Sequence, residues 1–159
     1  MVLERESHVY LSVIQRNKKC FSKHDKYDYS NTRLILGKIN NDGSIEYIYG
    51  KMKMERELWE EEELEAGEYL VYVEIDWNQD EINEFVVSAY SRYESHFVRD
   101  EKFDHPEFLE KVYASCAVKY GEKTSFKSEG APGCVKYSKM LPEGYGFNYF
   151  KNDSTEGSL

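Results

Sequence analysis

Between Tyr69 and Trp77 every second residue is apolar, so Tyr69, Val71, Val73, Ile75 and Trp77 share one side of an extended chain. A helix would scatter these five around its circumference, so the segment predicts a strand, the longest in the chain and the central one. The same period recurs in residues 9–15, where Val9, Leu11 and Val13 oppose Tyr10, Ser12 and Ile14. Phe85, Val87 and Ala89 likewise alternate with Val86, Ser88 and Tyr90. The apolar run at residues 33–38 is followed by Asn40-Asn41-Asp42-Gly43, and then Ile45, Tyr47 and Tyr49 alternate with Ser44, Glu46 and Ile48. That pattern predicts a β-hairpin with Gly43 in its turn. A weaker strand falls near residues 56–58. Short strands at such spacing indicate an antiparallel sandwich or barrel.

After Tyr93 the pattern changes. Phe108, Leu109, Val112, Cys116 and Tyr120 recur at three- and four-residue spacing and predict one helix. Asp104 and Glu107 stand at capping-box spacing, Pro106 suits the first turn, and Gly121 occupies the place of a terminating glycine. Residues 124–133 read as a polar loop. Cys134–Met140 and Tyr145–Phe150 then read as two closing strands around Leu141-Pro142-Glu143-Gly144, with a mobile tail from Asn152. The expected architecture is all-β: a sandwich over residues 7–93, an extension of a helix and two added strands over 94–151 packed on it, and a tail at 152–159.

Composition narrows the function. A net charge of −9 opposes nucleic acid, whose affinity rests on Lys and Arg displacing counterions. No stretch approaches the roughly 20 apolar residues of a membrane span, and the first residues lack the apolar core of a signal peptide, so the expected location is the cytoplasm. Cys20, Cys116 and Cys134 have no CxxC spacing and are read as reduced, structural thiols.

Four segments together resemble the calpain domain III, a C2-like β-sandwich. They are His8-Val9-Tyr10-Leu11-Ser12-Val13-Ile14-Gln15, Arg56-Glu57-Leu58-Trp59, Leu64-Glu65-Ala66-Gly67-Glu68-Tyr69, and Phe85-Val86-Val87-Ser88-Ala89-Tyr90-Ser91. Ala66 replaces a proline usual in the family, as in divergent protist calpain-like sequences, and the residues after Tyr93 match no calpain element. The resemblance implies a regulatory or interaction domain of about eight antiparallel strands. It brings no protease core, because the chain contains no Gln-x-Gly-x-Cys-Trp run. The expected role is a non-catalytic interaction or scaffolding subunit of a larger assembly, cytoskeletal or ciliary. The alternatives are a calcium-dependent phospholipid-binding regulator and a regulatory partner of a calpain-like protease.

Three clusters are candidate sites. Asp76, Asn78 and Asp80 have the Asp-x-Asn-x-Asp spacing of a calcium loop, and Asp76, Asp80 and Glu84 can present oxygens to calcium, with Asp25 or Asp28 from another loop. The segment is not an EF-hand, which requires glycine where Glu81 stands and a bidentate acid where Val87 stands. Glu60, Glu61, Glu62, Glu63, Glu65 and Glu68 form an acidic run, comparable to the acidic loop of calpain-like domains, that suits a protein partner supplying Lys or Arg. Arg16, Lys18, Lys19, Lys23 and Lys26 form the opposite cluster, interleaved with Phe21, Tyr27 and Tyr29, and suit an acidic phospholipid or an acidic protein. No cofactor other than calcium is expected. Gly144-Tyr145-Gly146 is too short for a phosphate loop.

Overall fold

The computed structural model describes residues 1–24, 26–78, 83–99, 107–125, 133–140 and 146–152. The chain divides into two compact units, one of Met1–Ser44 with Ile48–Phe103, the other of Ile45–Tyr47 with Asp104–Leu159.

The first unit is a β-sandwich. Its strands are β1 (Val2–Leu3), β2 (Ser7–Gln15), β3 (Asn31–Ile39), β4 (Ile45–Lys53, of which Ile45–Tyr47 group with the second unit), β5 (Glu57–Leu64), β6 (Gly67–Asp76), β7 (Phe85–Ser91) and β8 (Ser95–His96). One sheet has the order β4-β3-β6-β1-β8 and the other β5-β2-β7. The longest strand, β6, is central in its sheet, as its apolar alternation predicts. Residues with even spacing on each strand meet in one core: Val9, Leu11 and Val13 from β2, Leu34 and Leu36 from β3, Tyr49 from β4, Leu58 and Leu64 from β5, and Tyr69 from β6. Val71, Val73 and Ile75 continue the inner row of β6. Fully burying each such side chain contributes about 1.5–3 kcal/mol before entropy is counted, so this inner row decides the register.

The predicted hairpin forms between β3 and β4. Gly43 has a φ of 78°, which favours glycine, and its N–H donates to the Asn40 carbonyl at 2.9 Å. Strands β1 and β8, of two residues each, have no signature in the sequence. They exist because Val2 and Leu3 pair with Glu68 and Gly67 on one side and with His96 and Ser95 on the other.

Where β2 ends, the buried Gln15 joins the two sheets. Its Nε2 donates to the Ser30 carbonyl and to Thr32 Oγ1, each at 2.7 Å, and its Oε1 accepts from the Ser30 amide at 2.8 Å. Three polar bonds inside an apolar seam fix the start of β3 relative to the end of β2.

In the second unit α1 spans Phe108–Tyr120, and a three-stranded sheet has the order β11-β10-β9, with β9 at Glu122–Ser125, β10 at Cys134–Met140 and β11 at Gly146–Asn152. Strand β9 replaces the start of the expected polar loop, because residues 122–125 pair with residues 135–138 of β10. Ala117, Val135 and Tyr137 form a core with Phe147 and Tyr149 against it. The helix buries Phe108, Val112 and Cys116 as expected, and Ala117 in addition, while Tyr120 stays exposed.

Glu107 stands at the N-cap but makes no capping bond with its side chain, which pairs instead with Lys111 at 2.9 Å. Asp104, Pro106, the 141–144 turn and the tail beyond Asn152 lie outside the described residues. Gly121 does end the helix, though not in the left-handed conformation: its φ is −86°. Glycine is needed there for space, since a Cβ would lie 2.4 Å from the Ala117 carbonyl oxygen and 2.9 Å from that of Ser138.

Replacing Gln15 by leucine removes all three bonds: the buried Ser30 amide loses its acceptor, and the Ser30 carbonyl keeps only the long bond from Thr32 Oγ1 at 3.4 Å. We expect Gln15→Leu to lower the unfolding free energy by about 2–4 kcal/mol in urea denaturation, from roughly 1–3 kcal/mol per unsatisfied buried group.

Candidate functional site

The expected acidic loop is a strand. Glu60 to Glu63 lie in the middle of β5, held between Leu58 and Leu64, whose even separation puts both in the core. Pairing with β2 decides the matter: residues 57–64 face residues 14–7 in unbroken antiparallel register. The alternation then splits the run. Glu60 and Glu62 fall on the half-buried side with the leucines, whereas Glu57, Trp59, Glu61 and Glu63 face outward. Glu65 and Glu68 lie beyond β5, Glu65 paired with Lys38 at 2.6 Å and Glu68 in β6.

Three strands therefore present a regular outer face. Glu63 lies opposite His8. Glu61, Tyr10 and Tyr90 form the next row, Trp59, Ser12 and Ser88 the third, and Glu57, Ile14 and Val86 the fourth. The centre of this face is Tyr10. Its hydroxyl donates to Glu57 Oε1 at 3.1 Å, two rows away, so the ring lies along β2 over Ser12. Ser12 is accordingly only 1% exposed, although it points away from the core. Trp59 stacks on Tyr10 with centroids 5.8 Å apart and planes at 21°, and Tyr90 flanks the other side at 6.0 Å. Burial, then the hydrogen bond to Glu57, keep the Tyr10 hydroxyl protonated above the ordinary phenol range.

Around this ordered centre the outer residues remain open: Trp59 is 47% exposed, Val86 58% and Tyr90 65%. On the same face the His8 ring lies 3.5 Å from a Glu61 oxygen and 3.0 Å from a Glu63 oxygen. At the edge of β5, Lys51 Nζ bonds Glu60 at 2.7 Å and the Trp59 carbonyl at 3.1 Å, and lies 5.5 Å from the Trp59 ring centroid. The protein thus already holds one of its own cations with an aromatic ring and a carboxylate.

The basic cluster is arranged differently. Arg16 pairs with Glu84 at 3.1 Å and Lys18 pairs with Asp28, while Lys19 and Lys23 are exposed. A single 3₁₀ turn at Lys18–Cys20 is capped by Asn17, whose side chain accepts from the Lys19 amide. Phe21 stacks on Tyr27 at 4.1 Å, Tyr27 meets Tyr29 edge-on, and Lys18 lies 4.4 Å from the Tyr29 ring centroid. Two acids proposed for calcium are therefore committed to two of the cations proposed for phospholipid. Asp76 ends β6 opposite Asn31, in a shallow depression that also contains Arg33 and Glu74. Asp25 and Asp80 lie outside the described residues, and among those described no three His, Cys, Asp or Glu side chains are grouped to hold a metal ion.

Cys20 is exposed, Cys134 half-buried and Cys116 buried, each as a free thiol. Burial pushes the Cys116 thiol up, away from the thiolate a nucleophile requires. Sequence reasoning missed the outer face as a unit because its members come from three strands far apart in the chain. The alternation of Tyr10, Ser12 and Ile14 showed only that one strand had an outer side.

If Ser12 is small because Tyr10 lies over it, Ser12→Leu lifts the ring. The expected result is loss of the Tyr10–Trp59 ring contact in nuclear Overhauser spectra, return of the Tyr10 hydroxyl towards the ordinary tyrosine range, and a stability loss of about 1–3 kcal/mol. Retention of the contact would show that another residue covers Ser12.

No protein-family model, no curated protein and no solved structure matches this chain.

Proposed function

We propose that this chain is a non-catalytic protein-interaction module, a subunit of a larger assembly that docks through the outer face of its three-stranded sheet. The observation that carries this reading is the exposure of Trp59, Val86 and Tyr90 on a face whose centre is held rigid by Tyr10. Exposed apolar side chains scattered singly are ordinary. Here three of them surround a packed ring on adjacent strands, with carboxylates at the margin, which is the arrangement of an interface centre with a polar rim. Membership of the calpain-like group and C2-like topology belong to the same proposal on the sequence segments quoted for the resemblance, and a cytoskeletal or ciliary setting belongs to it on the opposed acidic and basic clusters and the abundant aromatic residues.

The calcium-dependent lipid reading draws less support. A calcium ion bound by Glu84 and Asp28 would first have to displace Arg16 and Lys18, and the released cations would then repel it.

Two measurements test the proposal. A photo-crosslinking residue at position 90 should give a discrete crosslinked partner in native extracts, and the same residue at the exposed position 118 on α1 should not. Equal crosslinking from both positions, or none from position 90, would refute docking through this face. Millimolar calcium should leave the melting temperature unchanged, whereas a rise would restore the calcium reading, since a ligand selective for the folded state stabilises it.

A further inference from the structure

We infer that the occupant of this face is an extended, arginine-bearing segment of a partner protein. The inference rests on the docking role proposed above and adds the chemistry of the partner.

Charge supplies the first argument. Glu57, Glu61 and Glu63 all stand at outward positions of β5. Against them the described part of the face offers His8 and, just past the end of β7, Arg92, whose guanidinium lies 5.7 Å from the Tyr93 ring, while Lys51 at the edge and Arg16 just past the end of β2 are matched by Glu60 and Glu84. The face is therefore acidic as well as apolar. A second copy of the chain docked face to face would set carboxylates against carboxylates. An anionic membrane or a nucleic acid would meet the same repulsion. A cationic partner removes the desolvation cost of the carboxylates and covers the apolar rings in one step.

Spacing gives the second argument. Successive residues of a strand advance about 3.3 Å, so Glu61 and Glu63 are about 7 Å apart and Glu57 lies about 13 Å from Glu61 along the edge. An extended segment repeats its side chains on one face at that same interval of about 7 Å, whereas one turn of helix advances about 5.4 Å. A partner strand with a cation at alternate positions thus keeps step with Glu61 and Glu63.

The third argument is the precedent of Lys51, which the protein already seats between the Trp59 ring and the Glu60 carboxylate. Arginine suits the remaining positions better than lysine, because its planar guanidinium can lie on the exposed Tyr90 ring and still form a paired bond to a carboxylate.

The test uses the full chain and two short synthetic peptides, one alternating Arg and Thr, the other alternating Glu and Thr. In nitrogen-15 correlation spectra the arginine peptide should shift the Trp59 indole and the amides of His8 and Tyr90 saturably, with affinity falling as salt rises, and the glutamate peptide should not. Glu61→Gln combined with Glu63→Gln should weaken binding on the order of fivefold, as expected for exposed ion pairs. Tyr90→Ala should weaken it as well, and Glu110→Gln on α1 should leave it unchanged. These positions are exposed, and unchanged spectra elsewhere verify that each variant is folded. No saturable shift, or binding indifferent to all of these substitutions, would overturn the inference. Crosslinks from position 90 with an inert arginine peptide would remove the cationic occupant and leave the docking face standing. Failure of both experiments would remove the docking role itself.

Discussion

The two-sided strand β2 is the constraint on which the rest of the sandwich depends. It is the middle strand of its sheet, so both of its edges are paired, and neither register can slip without turning Val9, Leu11 and Val13 out of the core. The burial of three aliphatic side chains thereby fixes the opposite side as well. Tyr10 and Ser12 have to face outward, and Tyr10 finds a stable position there because Ser12 leaves space beneath its ring and Glu57 accepts its hydroxyl. At its end, Gln15 carries the same order across to the other sheet through Ser30 and Thr32. Core and outer face are two consequences of one alternation.

The strands with clean alternation, β2, β4, β6 and β7, were legible in the sequence because period-two burial leaves a direct trace, and β3 was legible as a short apolar run before a turn. Strand β5 left a weaker one. Glutamate is depleted in strands, so four in succession suggest a solvated loop. The stronger signal was the even separation of Leu58 and Leu64, which puts both ends of the segment on the same face and leaves the glutamates no choice but to follow. Strands β1, β8 and β9 could not be read locally, since their existence comes from partners far along the chain. The helix was legible from its apolar spacing. Its termini were not, because Glu107 is engaged by Lys111 and Gly121 is demanded by the nearness of two carbonyl oxygens and not by a left-handed turn.

The two charge clusters looked equivalent in the sequence and are not equivalent in the fold. At the loop cluster, Arg16 and Lys18 are matched by Glu84 and Asp28, so much of the local field is cancelled within the protein. On β5, alternation sends Glu60 inward to Lys51 but leaves Glu57, Glu61 and Glu63 on the outside with Tyr10 and His8 as their partners. Three carboxylates share a phenol and one imidazole ring there, whereas Glu84 and Asp28 each have a guanidinium or an ammonium of their own. Uncompensated charge on this sheet therefore lies beside the exposed Trp59 and Tyr90, and that coincidence separates the acidic face from the basic loops as a binding surface.

Strand β5 is also an edge, and an open edge invites pairing with other chains. Its composition answers that hazard selectively. Glutamates on both sides of the strand would lie opposite one another if two copies paired edge to edge, and like charges directly opposite are destabilising. Lys51 further occupies the Trp59 carbonyl, one of the edge groups that a stray strand would use. The same residues do not repel a basic strand, for which each outward carboxylate is a partner. A row of glutamates that protects the edge from self-association thus becomes, for a cationic segment, a reason to bind.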